Sequence, residues 1–357
     1  MADLVPYRKL SVGYDLQHGI RFIDVLKPYS RVIREVYFAW PGVANGRAQI
    51  RTDSPVVREK LKNDLLTILR WCRTQGIELN LLLNANCYGN DAFSESLRST
   101  VTQTIDTLSD NGLYPEIVTT ASPFIAKVLK MQHPDIDVRA SVNMQLNSTL
   151  AMEFVSDLFD SFYICQDIQR DLQTVQLFSD SCHSRKKKLC MLLNSGCLIN
   201  CPVRTWHNNF ICHENTNYHS MTFQMHFPLR LCDRHFQSRE NLVDFLRMSW
   251  IRPEDVWHYE PYLDVLKLAT RDIMDYEPII RAYAEGHYEG SVFDYIGYHN
   301  EFCEFENSAF PEDWFESGIA QKCAANCTHC GKCEQVLRQV IRNKKVTTES
   351  TYSFATV

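Results

Sequence analysis

At 357 residues with 45% hydrophobic content, the chain is long enough for one large domain of about 250 residues plus an appendage. Its formal charge of −6, from 37 basic and 43 acidic residues, excludes a global basic field for nucleic acid. The local run Arg185-Lys186-Lys187-Lys188 reads first as a solvated loop before a strand and second as a phosphate contact. No stretch approaches the roughly eighteen apolar residues of a membrane span, and the opening MADLVPYRKL lacks the apolar core of a signal peptide. The expectation is a cytoplasmic chain without a membrane role, whose 14 cysteines are thiols or metal ligands rather than disulfides.

From residue 8 to about 272 short apolar runs alternate with amphipathic stretches, the pattern of βα units and a parallel sheet. Strands are expected at Leu10–Tyr14, Glu35–Trp40, Glu78–Leu83, Glu116–Thr119, Asp137–Val142, Ser161–Ile164, Leu189–Leu193 and Val265–Leu268. Helices are expected between them at Gly19–Val32, Pro55–Gln75, Ser94–Ser109, Pro123–Met131, Thr149–Leu158 and Gln169–Phe178. Eight such strands predict a closed TIM-like (β/α)8 barrel over 1–272. The interval from Leu193 to Val265 is too long for one crossover. It reads as an insertion over 194–240 with a further helix at Arg239–Met248, at the strand end where a barrel places its chemistry. Residues 273–357 form a C-terminal extension, at first aromatic and acidic, then cysteine-rich, with a short helix expected over Glu334–Asn343.

The cysteines cluster. Cys323, Cys327, Cys330 and Cys333 follow C-x3-C-x2-C-x2-C, while Cys197, Cys201, Cys212 and Cys232 fall in the insertion. Gly196 lets the backbone turn sharply after the seventh strand, which projects Cys197 and Cys201 over the barrel mouth. Spacings of 3, 10 and 19 intervening residues are too irregular for a zinc ribbon and suit a cluster wrapped by one long loop. Separately buried small hydrophobes are the alternative, but these cysteines interrupt a polar loop rich in His and Asn. The C-terminal motif contains the C-x3-C-x2-C spacing of radical-SAM enzymes. There it precedes most of a barrel, whereas 24 residues follow Cys333 here, so a closed four-thiolate site for electron relay or structure is expected. Iron–sulfur is the first reading there. Zinc is the second, with His329 an outer donor rather than a ligand.

The block NSGCLINCPVRTWHNNF after a strand, then Cys232 before Asp233, then the strand LDVLKLATR resemble the collagenase-like peptidases, peptidase family U, over roughly residues 8–290. Lys267 and Arg271 match a Lys-Ile-Glu-Gly-Arg-like segment of that family, while Ala269 and Thr270 depart from it. Members that serve oxygen-independent ubiquinone hydroxylation and RNA hydroxylation are similar to iron–sulfur proteins with four cysteine ligands. The resemblance thus implies a [4Fe–4S] cluster on Cys197, Cys201, Cys212 and Cys232, with Cys190 a rival ligand. It also implies a small-molecule or RNA-borne substrate, an electron donor such as a ferredoxin or flavodoxin, and a related barrel protein as partner subunit.

Polar residues at the expected strand C-termini are Asp15, His18, Trp40, Asn84, Asn86, Asn143, Gln145, Asn194, Lys267 and Arg271. The set is rich in amides and poor in paired carboxylates, and no HExxH or G-x-S-x-G motif occurs. Lys267 and Arg271 are candidates to clamp an anion and Asn143 to orient a polar substrate, although each alone reads first as loop capping. The first reading is therefore an iron–sulfur oxidoreductase performing an oxygen-independent hydroxylation or related step. A peptidase-like hydrolase and a non-catalytic subunit delivering electrons or substrate are the alternatives.

Overall fold

The fold is seen in a computed structural model, described here for residues 9–46, 54–218, 231–270, 276–321 and 330–344. Eight parallel strands close into a barrel in simple sequence order: β1 (Leu10–Gly13), β2 (Ile33–Ala39), β3 (Glu78–Leu83), β4 (Ile117–Thr120), β5 (Asp137–Ala140), β6 (Ser161–Tyr163), β7 (Lys188–Leu192) and β8 (Val265–Leu268). The closing register places Ser11 beside Lys267, and Leu192 beside Lys267 on the other side. The TIM-like barrel expected from the alternation of apolar runs is the fold observed.

The crossover helices are α1 (Arg21–Leu26), α2 (Pro55–Thr74), α3 (Glu95–Asp110), α4 (Pro123–Gln132), α5 (Thr149–Phe154) and α6 (Leu172–Ser184). Four start alike. Ser54, Ser94, Ser122 and Ser148 are extended N-caps whose hydroxyls accept from backbone N–H groups three residues on, and Pro55 and Pro123 take the first helical position. Each cap contributes about 1 kcal/mol. On α2 the buried residues Leu65, Leu66, Ile68, Leu69 and Cys72 recur at three- and four-residue spacing, so one stripe faces the strands. Each such leucine contributes about 1.5–3 kcal/mol through burial. The expected helix over Gly19–Val32 is shorter, because Pro28 cannot continue the hydrogen-bond ladder and 27–29 tightens into a 3-10 turn.

The barrel interior is polar at its centre. Inward positions of neighbouring strands supply Ser11, Glu35, Asn80, Thr119, Arg139 and Ser161, all essentially without solvent exposure. Glu35 Oε1 accepts from Ser11 Oγ (2.7 Å), Asn80 Nδ2 (2.9 Å) and Arg139 Nη1 (2.6 Å), while Arg139 Nε donates to Ser161 Oγ (3.0 Å). Burial pushes the Glu35 carboxyl up, but Arg139 and the three donors outweigh it and hold the group below the ordinary carboxylate range.

Between β7 and β8 lie α7 (Arg204–Tyr218), α8 (Leu231–Phe236), a 3-10 stretch at Arg239–Arg247 where a helix was expected, and α9 (Val256–Tyr259). Beyond β8 follow α10 (Glu277–Glu285), α11 (Val292–Ile296), β9 (Cys303–Phe305), α12 (Lys332–Val340) and β10 (Ile341–Asn343). The helix expected over Glu334–Asn343 therefore ends at Val340, and the next three residues pair antiparallel with β9, Ile341 opposite Phe305. Arg170, buried after β6, ties these parts together. Its guanidinium donates to the carbonyls of Leu246 (2.9 Å), Met248 (2.7 Å) and Ala320 (2.8 Å), and also to that of Ile319. Trp314 stacks on Trp250 with ring centroids 6.4 Å apart. Among the described residues no helix is long and apolar enough to cross a membrane.

Candidate functional site

The C-terminal mouth of the barrel is built by the loops after the strands, as the parallel topology requires. Three of them are knotted by amides. Asn84, after β3, accepts from the Gly46 N–H on its Oδ1 (3.0 Å), and its carbonyl accepts from Asn143 Nδ2 (3.4 Å), which follows β5. A Cβ on Gly46 would stand 3.0 Å from Asn143 Nδ2 and 3.1 Å from Asn84 Nδ2, so any side chain here presses on both amides. Asn143 lies in the 3-10 turn Val142–Met144 capped by Ser141, and Gln145, which closes the turn, is left-handed at φ 53°. Gln145 Nε2 reaches across to Thr205 Oγ1 on α7 at 3.3 Å, and Gln166 Nε2 donates to Ser195 Oγ at 2.6 Å.

Other expected mouth residues serve the fold. Asp15 caps the turn Leu16–His18 through the Gln17 N–H (3.0 Å), and the Asp15 N–H donates to His18 Nδ1 (3.2 Å), whose ring stacks on Tyr276. Trp40 lies 5.9 Å from Lys62 Nζ. Asn194 is bound on both sides, donating to the carbonyls of Ala269 (2.9 Å) and Tyr295 (2.8 Å) and accepting from the Ala269 N–H (2.6 Å). Lys267 sits below the mouth, buried, with Nζ 4.1 Å from the Tyr37 ring centroid and 4.9 Å from that of Tyr163. Tyr163 in turn faces Arg139 at 5.7 Å, so a column of alternating cations and rings rises from the Glu35 pair toward the mouth. Arg271 lies outside the described residues.

The cysteines divide. Cys197 and Cys201 occupy the loop after β7, where the Cys197 carbonyl accepts from the Ser249 N–H (3.0 Å) and the Cys201 N–H donates to the Leu198 carbonyl (3.2 Å). The buried Arg204 holds this loop, bonding Asp167 Oδ1 (2.7 Å) and the Leu198 carbonyl (2.6 Å) with the Cys197 and Cys165 sulfurs nearby. Cys212 lies on α7 and its Sγ accepts from the Asn86 N–H at 3.0 Å, which seats the helix on the β3 loop. Burial pushes this thiol up, against the pull of the Asn86 and Cys87 N–H groups. Cys232 on α8 and Cys333 on α12 are half-buried against the core, Cys330 is exposed, and Cys323 and Cys327 lie outside the described residues. Cys190 is sealed inside β7 with Tyr163 and Val265, its thiol pushed up to about 12 by burial, a placement that suits packing. Among the described residues no three His, Cys, Asp or Glu side chains converge at metal-binding distance.

Sequence reasoning passed over Cys87 and Cys165, although each follows a strand end within four residues, Leu83 and Tyr163 respectively. It also passed over the interior pair Glu35–Arg139, whose signal is a charge at an inward position of a barrel strand. A triad-like chain joins Ser179 Oγ to His183 Nδ1 (3.2 Å) and His183 Nε2 to Asp264 Oδ2 (2.9 Å). Ser179 is buried on α6 and Asp264 precedes β8 at the opposite, N-terminal face, where Asp264 also accepts from the Leu189 N–H. This chain anchors α6 to the strand starts, since a hydroxyl without access cannot attack a substrate.

No family model matches the chain. Over 321 residues it is 22% identical to an uncharacterized protease, MJ1657, of Methanocaldococcus jannaschii, covering 87% of this chain and 89% of that one. The U32 peptidase Mk0906 shares the fold at a TM-score of 0.53 and 14% identity, covering 74% of this chain and 93% of its own. The resemblance to the collagenase-like peptidases of family U, read from the cysteine block and the last strand, is borne out by these likenesses.

Proposed function

We propose that the chain is a peptidase-like protein that takes a peptide segment across the C-terminal mouth of its barrel. The supporting observation is the amide-lined rim, set beside the likeness along most of the chain to a protein named as a protease. A peptide backbone offers alternating N–H and C=O groups, and Asn143, Gln145 and Gln166 offer donor and acceptor on one side chain, so the two match without a charge. Asn86 adds a buried Oδ1 with no partner among the described residues, an acceptor suited to a substrate N–H. Lys267, held between two rings beneath the rim, supplies a cation below it. Incubation with fluorescein-labelled casein tests this reading: release of fluorescent fragments, slowed severalfold by Asn143→Ala and Gln145→Ala, is expected. An inert protein that also fails to bind the substrate contradicts it.

A second reading has its own observation, namely five thiols on the mouth: Cys87 after β3, Cys165 after β6, Cys197 and Cys201 after β7, and Cys212 on α7. In this reading Cys197, Cys201, Cys212 and Cys232 would hold an iron–sulfur cluster, for which thiolates are the ordinary ligands, and Cys323, Cys327, Cys330 and Cys333 would hold a second cluster or zinc. Bound clusters would supply one-electron transfer for an oxygen-independent hydroxylation of a small or RNA-borne substrate, with Arg271 and Lys267 as anion clamp. A ferredoxin or flavodoxin would be the electron donor and a related barrel chain the partner. In this reading Arg204 offsets the negative charge of the sulfurs beside it, and the N–H of Asn86 tunes the Cys212 sulfur. Protein purified without oxygen should carry iron and acid-labile sulfide, with about half lost in Cys197→Ala; iron-free protein with full casein cleavage returns the account to the first reading alone.

A further inference from the structure

Two of the six tryptophans stand exposed, and they lie at opposite ends of the barrel. Trp257, on α9 just before β8, ends a column of rings at the N-terminal face: it stacks on His258 at 3.6 Å, which stacks on Phe315 at 3.6 Å. Trp206, 41% exposed, belongs to α7 and stacks on Phe210, one turn on, with centroids 5.6 Å apart and planes 25° off parallel. The contacts of α7 show that it lies across the mouth. Thr205 Oγ1 accepts from Gln145 Nε2 of the β5 loop (3.3 Å), and about two turns on Cys212 Sγ accepts from the Asn86 N–H of the β3 loop (3.0 Å). A Cβ on Gly89 of that same loop would lie 4.0 Å from His213 Cε1. Helical spacing sets Thr205 and Cys212 on one line along α7 and Trp206 and His213 on the next, with Phe210 beside Trp206. The ring pair therefore borders the line by which α7 sits on the loops carrying Gln145 and Asn86, whose amides are assigned above to a peptide backbone.

We propose that the Trp206–Phe210 pair is a subsite for an aromatic side chain of the bound peptide, so that the mouth selects segments containing phenylalanine, tyrosine or tryptophan. The proposal rests on the first reading above, that the mouth takes a peptide, and adds which peptides it takes. An extended peptide sends alternate side chains to opposite sides. A backbone bonded to the amide rim thus presents every second side chain to one wall of the mouth, and α7 is such a wall. A substrate ring placed on two rings already stacked removes apolar surface from water and gains an offset or edge-on partner, with no charge to desolvate. An aromatic platform beside a few fixed polar groups is also the usual composition of a ligand site, and here Asn86 Oδ1, buried with no partner among the described residues, is one such polar group. Trp206 acts in this account on specificity and touches no reacting atom.

The test measures binding of two fluorescein-labelled Gly-Ser peptides, alike except for a central phenylalanine or alanine, to the full chain by fluorescence anisotropy. The phenylalanine peptide should bind about tenfold more tightly. Trp206→Ala should reduce that ratio to below about twofold, whereas Trp206→Phe and the opposite-face control Trp257→Ala should keep it. Equal binding of both peptides to the wild type, or a preference that survives Trp206→Ala, overturns the inference and leaves the peptide reading of the mouth intact. A wild type that binds neither these peptides nor casein overturns both. Should Trp206→Ala lose its circular dichroism, the wild type serves instead: benzoylphenylalanine in place of the central phenylalanine should crosslink to α7 at Trp206 or Phe210, and attachment only elsewhere refutes the proposal.

Discussion

Removing the Arg139 guanidinium is the sharpest perturbation of the barrel. Arg139 and Glu35 are both wholly buried, and Glu35 Oε1 receives one charged and two neutral donors. In Arg139→Met the wholly buried carboxylate keeps only Ser11 and Asn80 as donors, and breaking one side of a buried pair costs about 3–5 kcal/mol. For a domain of this size that corresponds to a fall in Tm of roughly 6–20 °C, at about 2–4 °C per kcal/mol. Replacing both partners, Glu35→Leu with Arg139→Met, should recover most of the loss, because the cost lies in the orphaned charge rather than in the missing pair. Urea unfolding followed by circular dichroism at pH 7 gives the four corners of the cycle, with a coupling energy above about 2 kcal/mol expected. Because Glu35 titrates below its ordinary range in the folded state, its contribution is complete above that range and drains as pH falls through the folded value. The acid limb of the stability profile should therefore flatten in Glu35→Gln. Single variants within about 1 kcal/mol of the parent, or strictly additive effects, would refute the reasoning.

Asp255 behaves oppositely: burial, reinforced by Glu254, pushes its carboxyl up to about 6 against the pull of Arg252. Its folded pKa lies above the unfolded one, so stability is lost as pH rises between about 4 and about 6, and Asp255→Asn should remove that loss and raise Tm at pH 7–8. Arg170→Ala strips charged donors from four carbonyls, so a destabilisation of about 3–5 kcal/mol is expected. Limited proteolysis should show faster cleavage beyond residue 310 in that variant, and an unchanged digestion pattern would deny Arg170 its tethering role. Gly46→Ala forces a methyl group against the Asn84–Asn143 knot, which should destabilise by about 1–3 kcal/mol in thermal unfolding and slow casein release together.

The barrel was legible because parallel strands covered by helices read as short apolar runs at regular intervals, and Ser-Pro or Ser-x pairs mark where α2 and α4 begin. What escaped was long-range. The Glu35–Arg139 bond joins residues 104 positions apart, and nothing local distinguishes an inward charge from one at a strand edge. Residues Ile341–Asn343 read as helix because Val336 and Val340 keep helical spacing; pairing with Cys303–Phe305 turns the next three residues into a strand. Position after a strand puts Asn143 and Gln145 at the mouth, where their amides reach neighbouring loops, whereas Asn194, placed by the same reasoning, bonds the backbone just after β8 and in α11.

Photo-crosslinking tests most directly whether the C-terminal mouth is where a peptide is taken. A peptide library carrying benzoylphenylalanine is irradiated with the full chain, and the attachment points are mapped by mass spectrometry. Attachment concentrated on the loops holding Asn86, Asn143, Gln145 and Thr205, and competed by unlabelled casein, is the predicted result. Attachment on the N-terminal face around Ser179 and His183, or none that competes, would contradict the account.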